Sequence, residues 1–452
     1  MKLKAKMYNR TFEFHSVAEV LAKANEVKAG DSWQGIAAES QTERVAARLV
    51  LSRLTLEDIY ENPVIPYEKD EVTRVIYDDV NKYIYNEFKG YTIGELREYI
   101  LAHSGDEILR LGRGMVSEAI AGVAKLMSNM DLVAAAAKVR QPARCNTTIG
   151  LPGRISYRNQ PNHTTDDVNG IMASMKEGFT YGCGDAVIGI NPVEDNPENT
   201  AYLLKTAHEF MDEWGIPTQA CVLAHVTTQM KAQELGAPID VFFQSIAGTQ
   251  KTNEAFGIDK ALLENAKEAC RQGGNSLGPN FMYFETGQGS EVSLEGDEGI
   301  DEMTLEARTY GFGRHFQPFM TNNVSGFIGP ETIYDGREVV RADLEDLFMG
   351  KVHGLPMGIA PCYTNHMKCD QNDQENGTML CSMAGSFFFM GVPGGDDIML
   401  NYQDTTYHDD ASIREILGLR PTPEFEKWME DMGLMEDGRL TEIAGDPSIF
   451  EK

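Results

Sequence analysis

Positive charge is what this chain has least of for its size. Its 452 residues carry 40 Lys and Arg against 69 Asp and Glu, a net charge of −29. A surface that acidic repels phosphate backbones, so no nucleic acid partner is expected. The same repulsion argues against an anionic membrane surface. No uninterrupted apolar stretch reaches bilayer-spanning length. Met1 to Val17 holds basic residues but no apolar centre, which excludes a secretory signal there. Cysteine is sparse and odd in number: Cys145, Cys183, Cys221, Cys270, Cys362, Cys369 and Cys381. With no signal segment, that usage reads as reduced thiols in a cytoplasmic protein. There is no low-complexity linker and no short repeat, and a hydrophobic fraction of 42% suits an ordinary core rather than disorder.

Several common catalytic signatures are missing as well. There is no P-loop lysine, and Gly287 and Gly289 lack the spacing of a dinucleotide fingerprint. Ser245 has no nucleophile elbow around it. Cys362, His366, Cys369 and Asp370 lie close together, but C-x3-H-x2-C matches no common zinc template and no second cluster completes it, so no metal ligand is assigned. His163, Asp166 and Asp167 read as a polar loop and helix start rather than as a metal site.

What is present is a recurring pattern. Eight apolar runs each end in a polar or Gly-rich cluster. Thr148–Ile155 leads to Arg158 and Gln160, Ala186–Ile190 to Asn191, Ala220–Ala224 to His225, and Val241–Phe243 to Gln244 and Ser245. Phe281–Phe284 leads to Glu285, Phe316–Thr321 to Asn322 and Asn323, Val352–Ile359 to Asn365, and Phe387–Val392 to Asp396 and Asp397. Helix-like stretches over Asp166–Glu177, Glu198–Trp214, Asp259–Gln272, Ile300–Gly311 and Arg341–Met349 supply crossovers between them. Continuous apolar runs are what strands buried on both faces look like. The expected fold is α/β, a TIM (β/α)8 barrel, with its chemistry at the C-terminal strand ends. A bare barrel needs ~250 residues, so further elements are required. Residues 1–140 read as an N-terminal helical domain, 141–410 as the barrel and 411–452 as a short helical tail. Within the first, Val17–Lys28, Thr42–Ser52, Leu56–Tyr60, Glu71–Glu87, Ile93–Leu101 and Ser104–Ala137 look helical, with Ser52 and Thr55 as caps and Gly90 and Gly114 as breaks.

The strand ends carry the chemistry. Arg158 and Gln160, two apart on an extended segment, point the same way. Arg158 can hold an oxygen, and Gln160 can both donate and accept, although a barrel-mouth salt bridge explains the pair equally well. Asn191, one step beyond a buried strand and followed by Pro192, is a turn former or a hydroxyl reader. Glu285 directly follows a buried aromatic strand, where a carboxylate is costly without a partner, and a substrate ammonium is a natural one. Met390, Met399 and Phe327 are apolar residues near strand ends that either pack the core or wall a dry cavity.

These residues, in order along nearly the whole chain, closely resemble the large, catalytic subunit of the ethanolamine ammonia-lyase family. The resemblance is carried by NTTIGLPG (Asn146–Gly153), RNQPN (Arg158–Asn162), YGCGDAVIGINPV (Tyr181–Val193), CVLAHVTTQ (Cys221–Gln229) and YFETGQGS (Tyr283–Ser290). It continues in GFIGPE (Gly326–Glu331), CYTNH (Cys362–His366), GDDIMLNYQ (Gly395–Gln403), VLAKANE (Val20–Glu26) and NPVIPYE (Asn62–Glu68). It implies an adenosylcobalamin-dependent enzyme in which a 5′-deoxyadenosyl radical starts a 1,2-migration of an amino group, giving an aldehyde and ammonia. By the same resemblance, Arg158 and Asn191 hold the substrate hydroxyl, and Gln160 and Glu285 hold its amino group. Phe327 and position 360 face the substrate, and Pro192, Gln244, Ser293 and Met399 contact the cobalamin. The family lacks the Asp-x-His-x-x-Gly cobalamin signature, as this chain does. It also works with a separate small subunit in a hexamer of large–small pairs, and ethanolamine-using relatives often sit in a bacterial microcompartment.

One departure stands out. The family has an aspartate two positions before the Cys of CYTNH, where this chain has Ala360. Losing a charged hydrogen bond worth ~1.5–3 kcal/mol would weaken amine binding ~10- to 100-fold unless something compensates. The substrate is therefore either a substituted vicinal amino alcohol or ethanolamine held by other groups. Asn159 is a further difference inside the RNQ motif. Two other readings stand beside the lyase: a non-catalytic homologue that binds an amine or corrinoid, and a metal-dependent barrel hydrolase, which lacks a convincing ligand set.

Overall fold

The structure, a computed structural model, describes residues 2–451. Met1 and Lys452, the outermost residues of the expected helical domain and tail, lie outside the described residues. Eight parallel strands form the centre: β1 (Ser156–Asn159), β2 (Val187–Ile190), β3 (Ala220–Val222), β4 (Phe242–Ser245), β5 (Met282–Thr286), β6 (Met320–Val324), β7 (Met357–Ala360) and β8 (Phe388–Gly391). They are hydrogen-bonded in the order β3-β2-β1-β8-β7-β6-β5-β4. The helices between and after them are α1 (Val168–Thr180), α2 (Pro197–Trp214), α3 (Val226–Glu234), α4 (Lys260–Gly273), α5 (Glu302–Gly313), α6 (Gly336–Val352), α7 (Gln371–Met383) and α8 (Tyr407–Leu417). This is the TIM barrel expected from the apolar runs.

The sheet is nearly closed. Between β3 and β4 a glutamine side chain stands in for backbone pairing. Gln229 Nε2 donates to the carbonyls of Ala224 (2.6 Å) and Phe243 (2.7 Å), and its Oε1 accepts from the Phe243 N–H (3.0 Å). An amide has the same donor and acceptor as a peptide group, so it can bridge a seam that two diverging strands leave open.

The first strand begins later than the apolar run suggests. Thr148–Ile149 instead pairs antiparallel with Ala143–Arg144, and β1 starts at Ser156. The turn at Pro152 and Gly153, the latter at φ 72°, separates the two. Ile149 and Cys145 pack with Phe387 and Phe388, closing the barrel from below rather than joining its wall. Gly150 permits this approach: a Cβ there would lie 2.6 Å from the Phe387 ring.

The N-terminal segment is helical after a short hairpin, Lys4–Met7 with Arg10–Glu13, that the helical reading did not anticipate. Thr55 caps its helix with Asp58 in a reciprocal box (3.0 Å each way), whereas Ser52 lies at the C-terminal end of Gln41–Leu51. The long stretches divide. Glu71–Asp79 and Lys82–Phe88 are separated at Asn81, which caps the second. Ser104–Ala137 becomes Gly105–Gly112, Ser117–Lys125 and Asn129–Ala136. The segment docks on α5 and α6 through buried ion pairs. Lys28 meets Glu345 at 2.8 Å, Arg308 meets Asp70 at 2.9 Å and Glu118 at 2.5 Å, and Lys125 meets Asp301. At the other end of the chain, α8 begins at Tyr407, a few residues before the expected start of the helical tail at 411, with Thr406 and Asp409 forming its capping box.

Candidate active site

Strand alternation decides which side chains enter the barrel. On β1, Tyr157 and Asn159 face outward, and Asn159 bonds the Met175 carbonyl (2.9 Å) and the Tyr407 hydroxyl (3.0 Å) among the surrounding helices. The Asn159 departure therefore lies outside the mouth. Arg158 points inward, with Gly189 of β2 beside it. A Cβ at Gly189 would stand 2.2 Å from Arg158 Nε, so the guanidinium occupies the lane that this glycine leaves open.

Arg158 is 1% exposed and fully engaged on one edge. Its Nη1 donates to the Tyr283 hydroxyl (2.8 Å) and to Glu285 Oε1 (2.9 Å), and its Nη2 to the Gly189 carbonyl (3.2 Å). The Tyr283 hydroxyl also donates to Glu285 Oε1 (3.0 Å). Tyr283 and Glu285 are two apart on β5 and so share its inner face. Burial alone would weaken the proton affinity of Arg158, but the neighbouring Tyr283 and Glu285 more than offset it and hold the group above its ordinary pKa. The result is a fixed positive charge against a carboxylate whose side chain is 20% exposed toward the mouth.

Gln160 is the next inward position, one residue past the end of β1. Its Nε2 donates to Asp397 Oδ2 (2.6 Å) and to the Tyr402 hydroxyl (2.8 Å), and Asn162 Nδ2 donates to the same Asp397 oxygen (2.6 Å). Asp397 Oδ1 accepts the Met399 and Leu400 amides (3.0 and 2.8 Å), which pins the loop after β8 against β1. Asn191 follows β2, half-buried, with its N–H bonded to Asn162 Oδ1 (2.8 Å). Phe327 is exposed and lies edge-on to Tyr402, with ring centroids 5.5 Å apart. Ala360, the last residue of β7, packs with Met390, Val392 and Val324 in an apolar wall. Below it, Gly358 leaves room for the Phe388 ring, so Ala360 is the first inward position on this strand above the packed floor.

Around these side chains several buried polar atoms have no partner: Arg158 Nε, Gln160 Oε1, both amide atoms of Asn322, and Asp404 Oδ2. Buried polar atoms are normally hydrogen-bonded, and leaving one open costs about 1–3 kcal/mol. Several on one face of a barrel mouth are what a small polar ligand would satisfy. Asn322 pairs in register with Glu285, while Asn323 turns outward to Asp346 (2.8 Å). Of this set, Tyr283, Tyr402 and Asp404 were missed as site residues in the sequence. Tyr283 had a signal, since it precedes Glu285 by two on the same strand, and Asn322 and Asp397 stood among the polar strand ends without being singled out.

The four residues tied by resemblance to a corrinoid surround the same mouth. Pro192 follows β2, Gln244 is the penultimate residue of β4, Ser293 sits in the short helix Ser290–Ser293 after β5, and Met399 follows β8. Gln244 is buried and its Oε1 accepts the Val226 N–H (3.0 Å) across the β3–β4 seam, so it also has a structural task. Val193, Leu294, Phe327 and Ile398 are exposed on the loops after β2, β5, β6 and β8. They give the rim apolar points on four separate loops, which a large, mostly apolar group laid over the opening would contact. The polar loop after β1 behaves as expected: Asp167 caps α1, and Asp166 accepts the Val193 and Glu194 amides. Cys362 is buried, His366 exposed and Cys369 half-buried, and among the described residues no group of three His, Cys, Asp or Glu is arranged to hold a metal.

Comparison with known proteins bears on this geometry. Residues 12–443 match the family model described as "Ethanolamine ammonia lyase large subunit (EutB)". The chain is 52% identical over 452 residues to the ethanolamine ammonia-lyase large subunit of Escherichia coli (strain K12), covering 100% of both chains. It is equally similar, at 52% over the same full length of both, to the ethanolamine ammonia-lyase large subunit of Salmonella typhimurium (strain LT2).

Proposed function

We propose a function on one premise: the chain belongs to the ethanolamine ammonia-lyase large-subunit family, a family of carbon–nitrogen lyases. On this reading it is the catalytic subunit of an adenosylcobalamin-dependent ammonia-lyase that converts ethanolamine to an aldehyde and ammonia. It works with a separate small subunit in a hexamer of large–small pairs, in the cytoplasm or within a bacterial microcompartment.

The observation that carries the reading is the Arg158–Tyr283–Glu285 cluster facing buried, unpartnered polar atoms at the barrel mouth. A guanidinium and a carboxylate set side by side match a molecule with a hydroxyl at one end and an ammonium at the other. Arg158 polarises the hydroxyl oxygen with help from Asn191. Glu285 and Gln160 Oε1 accept from the ammonium and hold it as it moves between neighbouring carbons. Pro192, Gln244, Ser293 and Met399 support the corrinoid, and the exposed apolar rim is covered by it. When bound, adenosylcobalamin supplies the carbon-centred radical that the protein itself has no group to make. The packed floor of Phe243, Tyr283, Met320 and Phe388 keeps water from reaching the site from below.

The chain purified with its small subunit and given adenosylcobalamin is expected to release ammonia and an aldehyde from ethanolamine. A complex that binds the cofactor but turns over neither ethanolamine nor a related amino alcohol would instead support the non-catalytic reading. The apolar wall of Ala360, Met390 and Val392 favours a second reading, in which the substrate is an N-alkylated or C-substituted vicinal amino alcohol. Assaying ethanolamine, N-methylethanolamine and 2-amino-1-propanol side by side separates the two.

A further inference from the structure

The amine end of the site is short of negative charge. Glu285 is already the counter-ion of Arg158, and its Oε1 also takes the Tyr283 hydroxyl. Asp397 is engaged at both oxygens, by two side-chain amides and two backbone N–H groups. Ala360 offers only a methyl group. An ammonium entering this mouth meets an ion pair with no net charge, and Asp397, whose oxygens are already taken by neutral donors, offers it no free acceptor.

One carboxylate remains. Asp404 is 3% exposed and follows the short strand Tyr402–Gln403. Its Oδ1 accepts from the Thr405 N–H (2.7 Å), with the Thr405 hydroxyl oxygen 3.3 Å away, while its Oδ2 is buried without a partner. Gln403 turns outward to Asp396 (2.9 Å), and Tyr402 turns inward to receive Gln160. Asp404 is the next residue after that strand, and continued alternation places its side chain on the Tyr402 side, while the residue also borders the cleft lined by Gln374, Asp396 and Gln403. The Thr405 hydroxyl donates to the Met390 carbonyl, and Met390 packs against Ala360, so this loop lies over the alanine. Asp404 also senses the site electrically. Burial pushes its carboxyl up to about 7 against the lowering by Thr405 and Arg158, and an incoming ammonium favours its charged form. Among charged neighbours it acts most strongly on the Tyr402 phenol, ahead of Asp397.

We propose that Asp404 is a substrate-binding residue whose Oδ2 accepts an N–H of the substrate ammonium, supplying from the loop after β8 the negative charge that position 360 lacks. The proposal rests on the amino-alcohol lyase reading. It gives a primary ammonium three acceptors for its three N–H bonds: Glu285, Gln160 Oε1 and Asp404 Oδ2. Each N-alkyl group removes one of those bonds, so the site is built for ethanolamine rather than its N-substituted relatives.

The test uses the large–small complex with adenosylcobalamin and compares the wild type, Asp404→Asn, and Asp404→Asn combined with Ala360→Asp. Two constants are read for each: KM for ethanolamine, and the inhibition constant of ethylene glycol, which has the hydroxyl but no ammonium. Asp404→Asn is expected to raise the ethanolamine KM ~10- to 100-fold and to leave the glycol constant within about twofold. Returning a carboxylate at position 360 is expected to recover most of the loss. An unchanged KM, or a glycol constant that rises in step with it, overturns the proposal and leaves the lyase reading intact. Wild-type complex that releases no ammonia from ethanolamine overturns both. Should Asp404→Asn fail to assemble, the wild type decides: N,N-dimethylethanolamine, with a single N–H, is expected to bind ~10-fold or more weakly than ethanolamine, and equal binding overturns the proposal.

Discussion

Charge is buried in two regions of this molecule, and the two treat it differently. Where the N-terminal segment docks on α5 and α6, cations are closed by carboxylates of the facing segment: Lys28 by Glu345, Lys125 by Asp301, and Arg308 by both Asp70 and Glu118. At the barrel mouth Arg158 is also closed, by Glu285, but the pair is surrounded by Gln160, Asn322 and Asp404, whose polar atoms have open valences. Burial and charge alone therefore do not mark a functional site; unfilled hydrogen-bonding capacity around a charge does. The flank has exceptions in Glu118 Oε2 and in both oxygens of Glu302, which also lack a partner; burial, reinforced by Asp31, pushes the Glu302 carboxyl well above its ordinary pKa.

The sharpest way to break this comparison is to change one carboxylate at the mouth. Glu285→Gln keeps the shape and removes the charge that faces both Arg158 and the amine. It is expected to lower kcat/KM by about 10²–10³-fold, the range for losing one preorganised electrostatic contact, and steady-state assay of the reconstituted complex reads it. The matching change on the flank is Arg308→Ala, which leaves Asp70 and Glu118 buried without their cation. It is expected to cost ~3–5 kcal/mol of stability in urea melts of the complex, while the KM of whatever remains folded stays at the wild-type value. A KM that moves with Arg308 would show that the two regions are not separable.

Gly189→Ala tests the mouth more gently. The added methyl would stand 2.2 Å from Arg158 Nε and must push the guanidinium aside. A misplacement on the order of 1 Å is expected to lower kcat by ~10²-fold or less, with little change in melting temperature. The smallest effect expected is on pH dependence. Asp404 is pushed up from 3.8 to about 7 in the folded chain, so the folded state holds its proton over a range where the unfolded state does not. Its contribution to stability is full below the unfolded value and is lost as pH rises through about 7. Asp31 and Glu291, also raised to about 7, act in the same direction. The melting temperature of the wild type should therefore fall over this window more steeply than that of Asp404→Asn, and parallel curves would contradict the shift.

The barrel was legible because its strands are buried on both faces and leave uninterrupted apolar runs, each stopped by a polar residue. Glu285 was legible for a related reason: a carboxylate placed immediately after Tyr283-Phe284 has to be explained. Two kinds of feature were not legible. The Thr148–Ile155 run merges a floor ribbon with the approach to β1, because apolar content does not say whether a residue closes a barrel from below or lines its wall. Tyr402 and Asp404 reach the mouth through a loop that folds back, where Gln403 bridges Tyr363, and no periodicity announces such a return. The glutamine seam at Gln229 is hidden likewise, since a side chain replacing a ladder looks in sequence like an ordinary helical glutamine.

Most directly, the account is tested by a crystal structure of the large–small complex with ethanolamine bound. The prediction is an amino nitrogen within ~3 Å of both Glu285 and Asp404 Oδ2, with the hydroxyl oxygen against Arg158. Ethanolamine bound the other way round, or anywhere but inside the barrel mouth, would contradict it.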